Sequence, residues 1–127
     1  MNYIISCSEK QFKTISLACE ILARLQCGHL SAVFDQCKNE KGESFCIPYE
    51  LTREVEKIIK PILGIELNAH YGVGKFDSAD ISWDIYQVIR HQIWDDRTDD
   101  KLDYTVDASP ALKFGSEELI KVEKVSD

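Results

Sequence analysis

Residues 79 to 94 (ADISWDIYQVIRHQIW) most constrain what this chain can fold into, because they are apolar on two opposite sides. At 100° per residue, Ile81, Ile85, Val88, Ile89 and Ile93 fall on one arc of roughly 140°. That arc is expected to face the core. Trp83, Tyr86, Gln87, Arg90 and Trp94 lie on the other side, within about 100° of one another. The outward face of a solitary domain normally carries Lys, Glu and small polar residues. Trp, Tyr and Arg instead dominate protein interfaces, since they join a large contact area to a polar tip. The same side chains stack on a base or pair with a phosphate. Three uses of this second face stay open: cover by the chain's own C-terminal part, association with further copies, or a site for a ligand or partner.

The rest of the chain supplies what this helix packs against. Tyr3 to Cys7 (YIISC) is β-branched and aromatic, which predicts an opening strand. Ser8 and Gln11 have the spacing of a capping box, so a helix starts there. Phe12, Ile15, Ala18, Cys19, Leu22 and Leu25 recur at three and four, and Leu17 and Ile21 widen the arc, as in a helix covered on most sides. Gly28 interrupts it, and Leu30, Val33, Phe34 and Cys37 resume in a short second helix. Residues 38–46 read as a loop. After Pro48, Leu51, Val55, Ile58 and Ile62 predict a third helix with Glu50, Arg53, Glu54, Glu56, Lys57 and Lys60 on its wet side. Pro61 and Gly64 should kink or stop it. Residues 68–74 form a turn-rich connector, and Asp77 or Ser78 is expected to cap the last helix. Beyond it, Tyr104-Thr105-Val106 and Ile120 with Val122 suggest short edge strands around a Pro110 turn, one of them paired with the opening strand. The expectation is an α+β fold, predominantly helical, with three to four helices and a small sheet from the N-terminal strand and the short C-terminal strands. It forms a single domain, in which residues 1–96 are the helical core and residues 97–127 an acidic segment packing on or extending from it.

Charge and cysteine usage narrow the function classes. With 15 basic and 22 acidic residues the net charge is −7. Residues 95–127 contribute −5 of it. Such a balance argues against direct nucleic-acid binding, which draws its affinity from cations that displace counterions. The run Asp95-Asp96-Arg97-Thr98-Asp99-Asp100-Lys101-Leu102-Asp103 reads as a solvated loop or, functionally, as an imitation of a phosphate backbone. No apolar run approaches the ~20 residues that span a bilayer, and Met1-Asn2-Tyr3 opens no export signal. No membrane role and a cytoplasmic setting are expected. Cys7, Cys19, Cys27, Cys37 and Cys46 are odd in number and include no Cys-x-x-Cys pair, so reduced, structural thiols are expected rather than disulfides or zinc ligands.

Motifs of known chemistry are missing. The sequence has no Gly-x-x-x-x-Gly-Lys cradle, no nucleophile elbow and no His-Glu-x-x-His helix. No catalytic residue, metal ligand or cofactor is assigned. His91 shares a helix edge with Asp84, but seven residues separate them by about 10 Å along the axis, too far for a direct pair. His70 and Tyr71 lie in a Gly-flanked loop, where side chains reach ligands readily. His29 caps or packs at the helix break. Arg24, one turn after Glu20, either makes a helical ion pair or adds a second cation to the ligand of Arg90. The candidate ligand-binding set is Arg24, His70, Tyr71, Trp83, Gln87, Arg90, His91 and Trp94.

Several pieces together resemble a family of small, functionally undescribed proteins encoded by bacteriophages and prophages. They are Ile21-Leu22-Ala23-Arg24-Leu25 with Gly28, Asn68-Ala69-His70-Tyr71-Gly72, Asp84-Ile85-Tyr86-Gln87-Val88-Ile89-Arg90-His91, and Pro110 before Leu112-Lys113-Phe114. The most specific element is Asp-x-Tyr-Gln-x-x-Arg-His on the last helix. The resemblance covers most of the chain. It implies a phage accessory protein of the infected cytoplasm and marks Arg24, Tyr71, Asp84, Gln87, Arg90 and His91 for attention. Combined with the aromatic–arginine face, the expected function is capture of a small anionic, nucleotide-like ligand or a host defence protein by a homo-oligomer, without turnover. The alternatives are an acidic inhibitor that mimics nucleic acid before a host enzyme, and a nucleotide hydrolase using His70 or His91.

Overall fold

The structure, a computed structural model, describes residues 1–44, 47–99, 101 and 105–125. Ser8 opens the first helix as its composition requires. Its hydroxyl accepts from the Gln11 amide while the Gln11 side chain accepts from the Ser8 amide. Helix α1 (Glu9–Gln26) runs until Gly28, whose φ of +83° no β-carbon tolerates easily. After the break come α2 (Leu30–Gln36), α3 (Tyr49–Ile62) and α4 (Asp77–Asp95), then a single 3₁₀ turn (Val106–Ala108).

The fold is all-α among the described residues, which corrects the expected α+β class. Residues 1–8 form no strand, and neither do Thr105 and Val106 or residues 120–122. An isolated antiparallel bridge between Lys38 and Ser44 is the extent of β pairing there. The expected strand residue Tyr104 lies outside the described residues, as do Cys46 and Asp100, Leu102 and Asp103 of the acidic run. A β-favouring pentapeptide is a strand only if a neighbour accepts its hydrogen bonds, and no described segment pairs with it. Tyr3, Ile4 and Ile5 consequently stand exposed.

Helices α1 and α4 form the centre. Their contact is built from small residues: Ala23 and Cys27 of α1 meet Ala79 of α4, with Tyr71, Phe76 and Trp83 packed around them. On α1 the buried stripe is Ser16, Glu20, Ala23 and Cys27, within about 60° at 100° per residue. The larger apolar arc read from the sequence does not define the inside, since Leu17 and Leu22 are exposed. Close approach of two helices favours small side chains at the seam. Gln26 and Ser78 then tie the end of α1 to the start of α4 by reciprocal bonds of 2.9 and 3.1 Å.

Helix α3 shows the same inversion more strongly. Lys60, expected toward water, is buried together with Thr52, whereas Leu51, Ile58 and Ile62 are exposed. The Lys60 ammonium is 3 % exposed and donates to the carbonyls of Leu67 and Ala69 at 2.9 and 2.7 Å. Arg53 donates to Asn68 at 2.9 Å and to Glu56 at 2.8 Å. The polar side of α3 thus grips the connector after Ile65, a segment whose free carbonyls need donors. Pro61 falls within the last turn, and Gly64 (φ +71°) closes the helix.

Three carboxylates of α4 fasten the loops. Asp80 accepts from the Gly74 amide, Asp84 from the amides of Phe114 and Gly115, and Asp77 from the amide and hydroxyl of Ser116. Asp77 is the first residue of α4 rather than its cap. Phe76 holds the cap position without a side-chain bond.

Candidate functional site

The second face of α4 is not an outward surface. Trp83 packs on the Ala23–Cys27–Ala79 seam, with the Arg24 guanidinium 5.3 Å above its ring. Arg24 Nε also donates to the buried Glu20 carboxylate at 3.0 Å, which makes it a helical ion pair. Gln36 of α2 reaches the same carboxylate. The three uses left open for this face did not include cover by α1, which approaches α4 on the Ala79–Trp83 side.

Around this contact the candidate residues divide between two cavities. The first, of about 150 Å³, is lined by Ser16 of α1, by Arg90, Ile93, Trp94 and Arg97 on and just after α4, and by Asp107 of the 3₁₀ turn. The second, also about 150 Å³, is lined by Arg24, Cys27, His29, Tyr71, Asp80 and Trp83, among others. Arg24 and Arg90 therefore do not converge on one ligand. Each cavity is smaller than the ~300 Å³ at which ordinary small-molecule pockets begin.

The first cavity is rich in hydrogen-bond donors. Arg90 Nε pairs with Asp107 at 3.0 Å, its guanidinium bonds Gln87, and its carbon centre lies 5.1 Å from the Tyr86 ring. Burial pushes the Tyr86 phenol above its ordinary pKa, with the Arg90 contact acting in the opposite direction. Arg97 is held by Asp99 through two bonds of 2.8 Å. Trp94 stacks on His91 at 5.6 Å, and the His91 Nδ1 faces the Asp107 carbonyl at 2.8 Å. The indole Nε1 of Trp94 is buried with no hydrogen-bond partner among the described residues. A buried donor left unpaired costs about 1–3 kcal/mol.

His70 lines neither cavity, whereas His29 and Tyr71 belong to the second. His70 is exposed, its ring 5.2 Å from that of His29, whose Nε2 lies 2.6 Å from the Tyr71 carbonyl. His29 packs at the break between α1 and α2 without capping α2 by its side chain. Tyr71 meets Phe76 edge-on at 5.7 Å and carries Lys75 over its ring at 4.9 Å. Asp84 is consumed by the loop amides, well occupied without His91. Cys7, Cys19, Cys27 and Cys37 are free thiols, and burial raises the pKa of Cys19 and Cys27. Among the described residues no group of three His, Cys, Asp or Glu is arranged to hold a metal ion, and no helix is long and apolar enough to cross a membrane.

Sequence reasoning missed Ser16, Arg97 and Asp107. Arg97 carries no helical signal, since α4 ends at Asp95 and Arg97 follows its C-cap. Ser16 and Asp107 carry none, because chain segments far apart in sequence bring them there. Searches against protein-family models, curated proteins and solved structures match nothing.

Proposed function

We propose that this protein is a non-catalytic binder of a small anion, held in the cavity between Arg90, Arg97 and Trp94. The observation that carries the reading is the orphaned Trp94 Nε1 beside two guanidinium groups and the Ser16 hydroxyl. The indole N–H has no acceptor among the described residues, and guanidinium geometry matches the paired oxygens of a phosphate- or carboxylate-sized group. Asp107 now occupies part of that role, so an incoming anion competes with its carboxylate for Arg90. The cavity volume favours the phosphate of a nucleotide-like ligand entering while the remainder stays outside. Action in the cytoplasm of a phage-infected cell is part of the proposal and rests on the sequence resemblance alone. Neither His70 nor His91 faces a nucleophile or a paired base, so a hydrolase gains no support from the geometry.

Titration calorimetry and tryptophan fluorescence test this directly. In a Trp83→Phe protein Trp94 is the remaining tryptophan, since the chain has two. Inorganic phosphate, AMP and cyclic nucleotides are the probes. At least one should give a saturable change in Trp94 emission, weakened tenfold or more by Arg90→Gln, the ligand being recovered intact after denaturation. Absence of heat and of any emission change with every probe would remove the reading, and turnover of a probe would replace it with an enzyme.

A further inference from the structure

The second cavity lies where small residues at the seam of α1 and α4 leave room beside large ones. Buried Ala23, Cys27 and Ala79 line it together with the half-buried rings of Trp83 and Tyr71. Protein interiors hold few voids larger than a water molecule, so about 150 Å³ against the packed seam is room for a guest. The connector wall is formed in advance. The Tyr71 amide donates to the Cys27 carbonyl at 2.8 Å, and the Tyr71 carbonyl lies 2.6 Å from His29 Nε2. Gly72 and Val73 continue that wall and are exposed, which gives entry from the connector side. We propose that this cavity binds a small, neutral aromatic molecule of a single ring, independently of the anion site.

Volume, polarity and shape select that guest. An apolar cavity of roughly 150 Å³ holds one benzene ring, whereas ordinary drug-sized ligands need ~300 Å³ or more. The polar lining is already engaged within the protein. Arg24 Nε is held by Glu20 at 3.0 Å, and both Asp80 oxygens accept from the Gly74 amide at 2.9 and 3.0 Å. The Cys27 thiol faces the Gly72 carbonyl at 3.8 Å. Burial, with Asp80 adding to it, raises the Cys27 pKa, so the thiol lines the cavity in its uncharged form. Water finds few partners there, and poorly held water is displaced with gain by an apolar group. A charged guest of either sign would meet Arg24 and Asp80 in the same cavity, so neither sign is favoured. Trp83 and Tyr71 offer offset or edge-on contacts to a ring. Arg24 rests over Trp83 at 5.3 Å and Lys75 over Tyr71 at 4.9 Å, contacts that help to hold both rings before a guest arrives.

Toluene is the probe. In a Trp94→Phe protein Trp83 is the remaining tryptophan, and its emission should change saturably with toluene. Benzoate, the same ring carrying a charge, should bind about tenfold more weakly or worse, because its carboxylate loses water on entry. Cys27→Leu fills the cavity and should weaken toluene binding about tenfold or more, with an unchanged helical circular-dichroism spectrum. A second measurement needs no variant to fold. In the wild-type protein, toluene at about ten times its dissociation constant should slow modification of Cys27 by methyl methanethiosulfonate about tenfold, while the exposed Cys7 reacts as before. Absence of both the emission change and the Cys27 protection would overturn the proposal. So would benzoate binding as tightly as toluene, or toluene binding indifferent to Cys27→Leu, which would place the ring elsewhere.

Discussion

Replacing Gly115 by alanine tests whether the C-terminal part is truly seated on α4. A β-carbon at residue 115 would lie 2.8 Å from Ile81 Cγ1, 2.9 Å from its backbone nitrogen and 3.0 Å from its Cα. Two of these atoms belong to helix backbone and do not yield, so the loop must lift. Lifting pulls the Gly115 amide from Asp84, where it donates at 2.8 Å to a carboxylate only 4 % exposed. Overpacking costs about 1–3 kcal/mol, and a hydrogen bond to a charged group contributes about 1.5–3 kcal/mol. One movement relieves the first at the expense of the second, so the net loss is about 2–4 kcal/mol. With an unfolding entropy of about 2.1 cal/mol/K per residue, a 127-residue chain loses roughly 7–15 °C of Tm. Scanning calorimetry measures it. Gly72→Ala is the control, because nothing lies within 4 Å of its would-be β-carbon and its φ is not in the left-handed region. That variant should stay within about 0.5 kcal/mol of the parent, the usual range for an unremarkable surface change. A Gly115→Ala protein that melts within about 2 °C of the parent would refute the steric reasoning, since such a shift is under ~1 kcal/mol.

Other expectations follow from the same contacts. Lys60→Met keeps most of the buried stem but leaves the Leu67 and Ala69 carbonyls without their donor; urea unfolding should show a loss of about 2–4 kcal/mol, and an unchanged midpoint would contradict the inward placement of α3's polar side. The Ser116 hydroxyl and amide hold the Asp77 carboxyl below its ordinary 3.8. Its folded pKa is lower than its unfolded one, so the contact's contribution is complete above pH 3.8 and disappears as pH falls through the lowered value. The amide resonance of Ser116 should therefore be constant from pH 6 to about 4 and move below that, and Asp77→Asn should abolish the movement; a midpoint above 3.8 would contradict the bond.

Helix existence was legible in the sequence because its causes are local. The Ser8–Gln11 capping box, the Gly28 break and the Pro48 start each act within one turn, and the structure ends its helices at those signals. The aromatic–arginine run was legible as unusual, and Arg90 with Trp94 does line a cavity. Which way a helix faces was not legible. Periodicity reports that a stripe exists, whereas burial depends on what other segments place beside it. On α1 the small stripe of Ser16, Ala23 and Cys27 won over the greasier one, because helices close only where side chains are short. On α3 the connector claimed Lys60 through the Leu67 and Ala69 carbonyls and Arg53 through the Asn68 side chain, with Ile58 and Ile62 turned outward.

The amino-acid sequence by itself determined three to four helices, their breaks and the charge of the C-terminal part, since caps, glycine conformations and ionisation need only near neighbours. Tertiary structure alone decided that the opening segment finds no strand partner, that Arg24 and Arg90 serve different cavities, and that Asp84 fastens a loop thirty residues away. These outcomes depend on which surfaces meet, and meeting is settled by packing and by the need of every buried polar group for a partner.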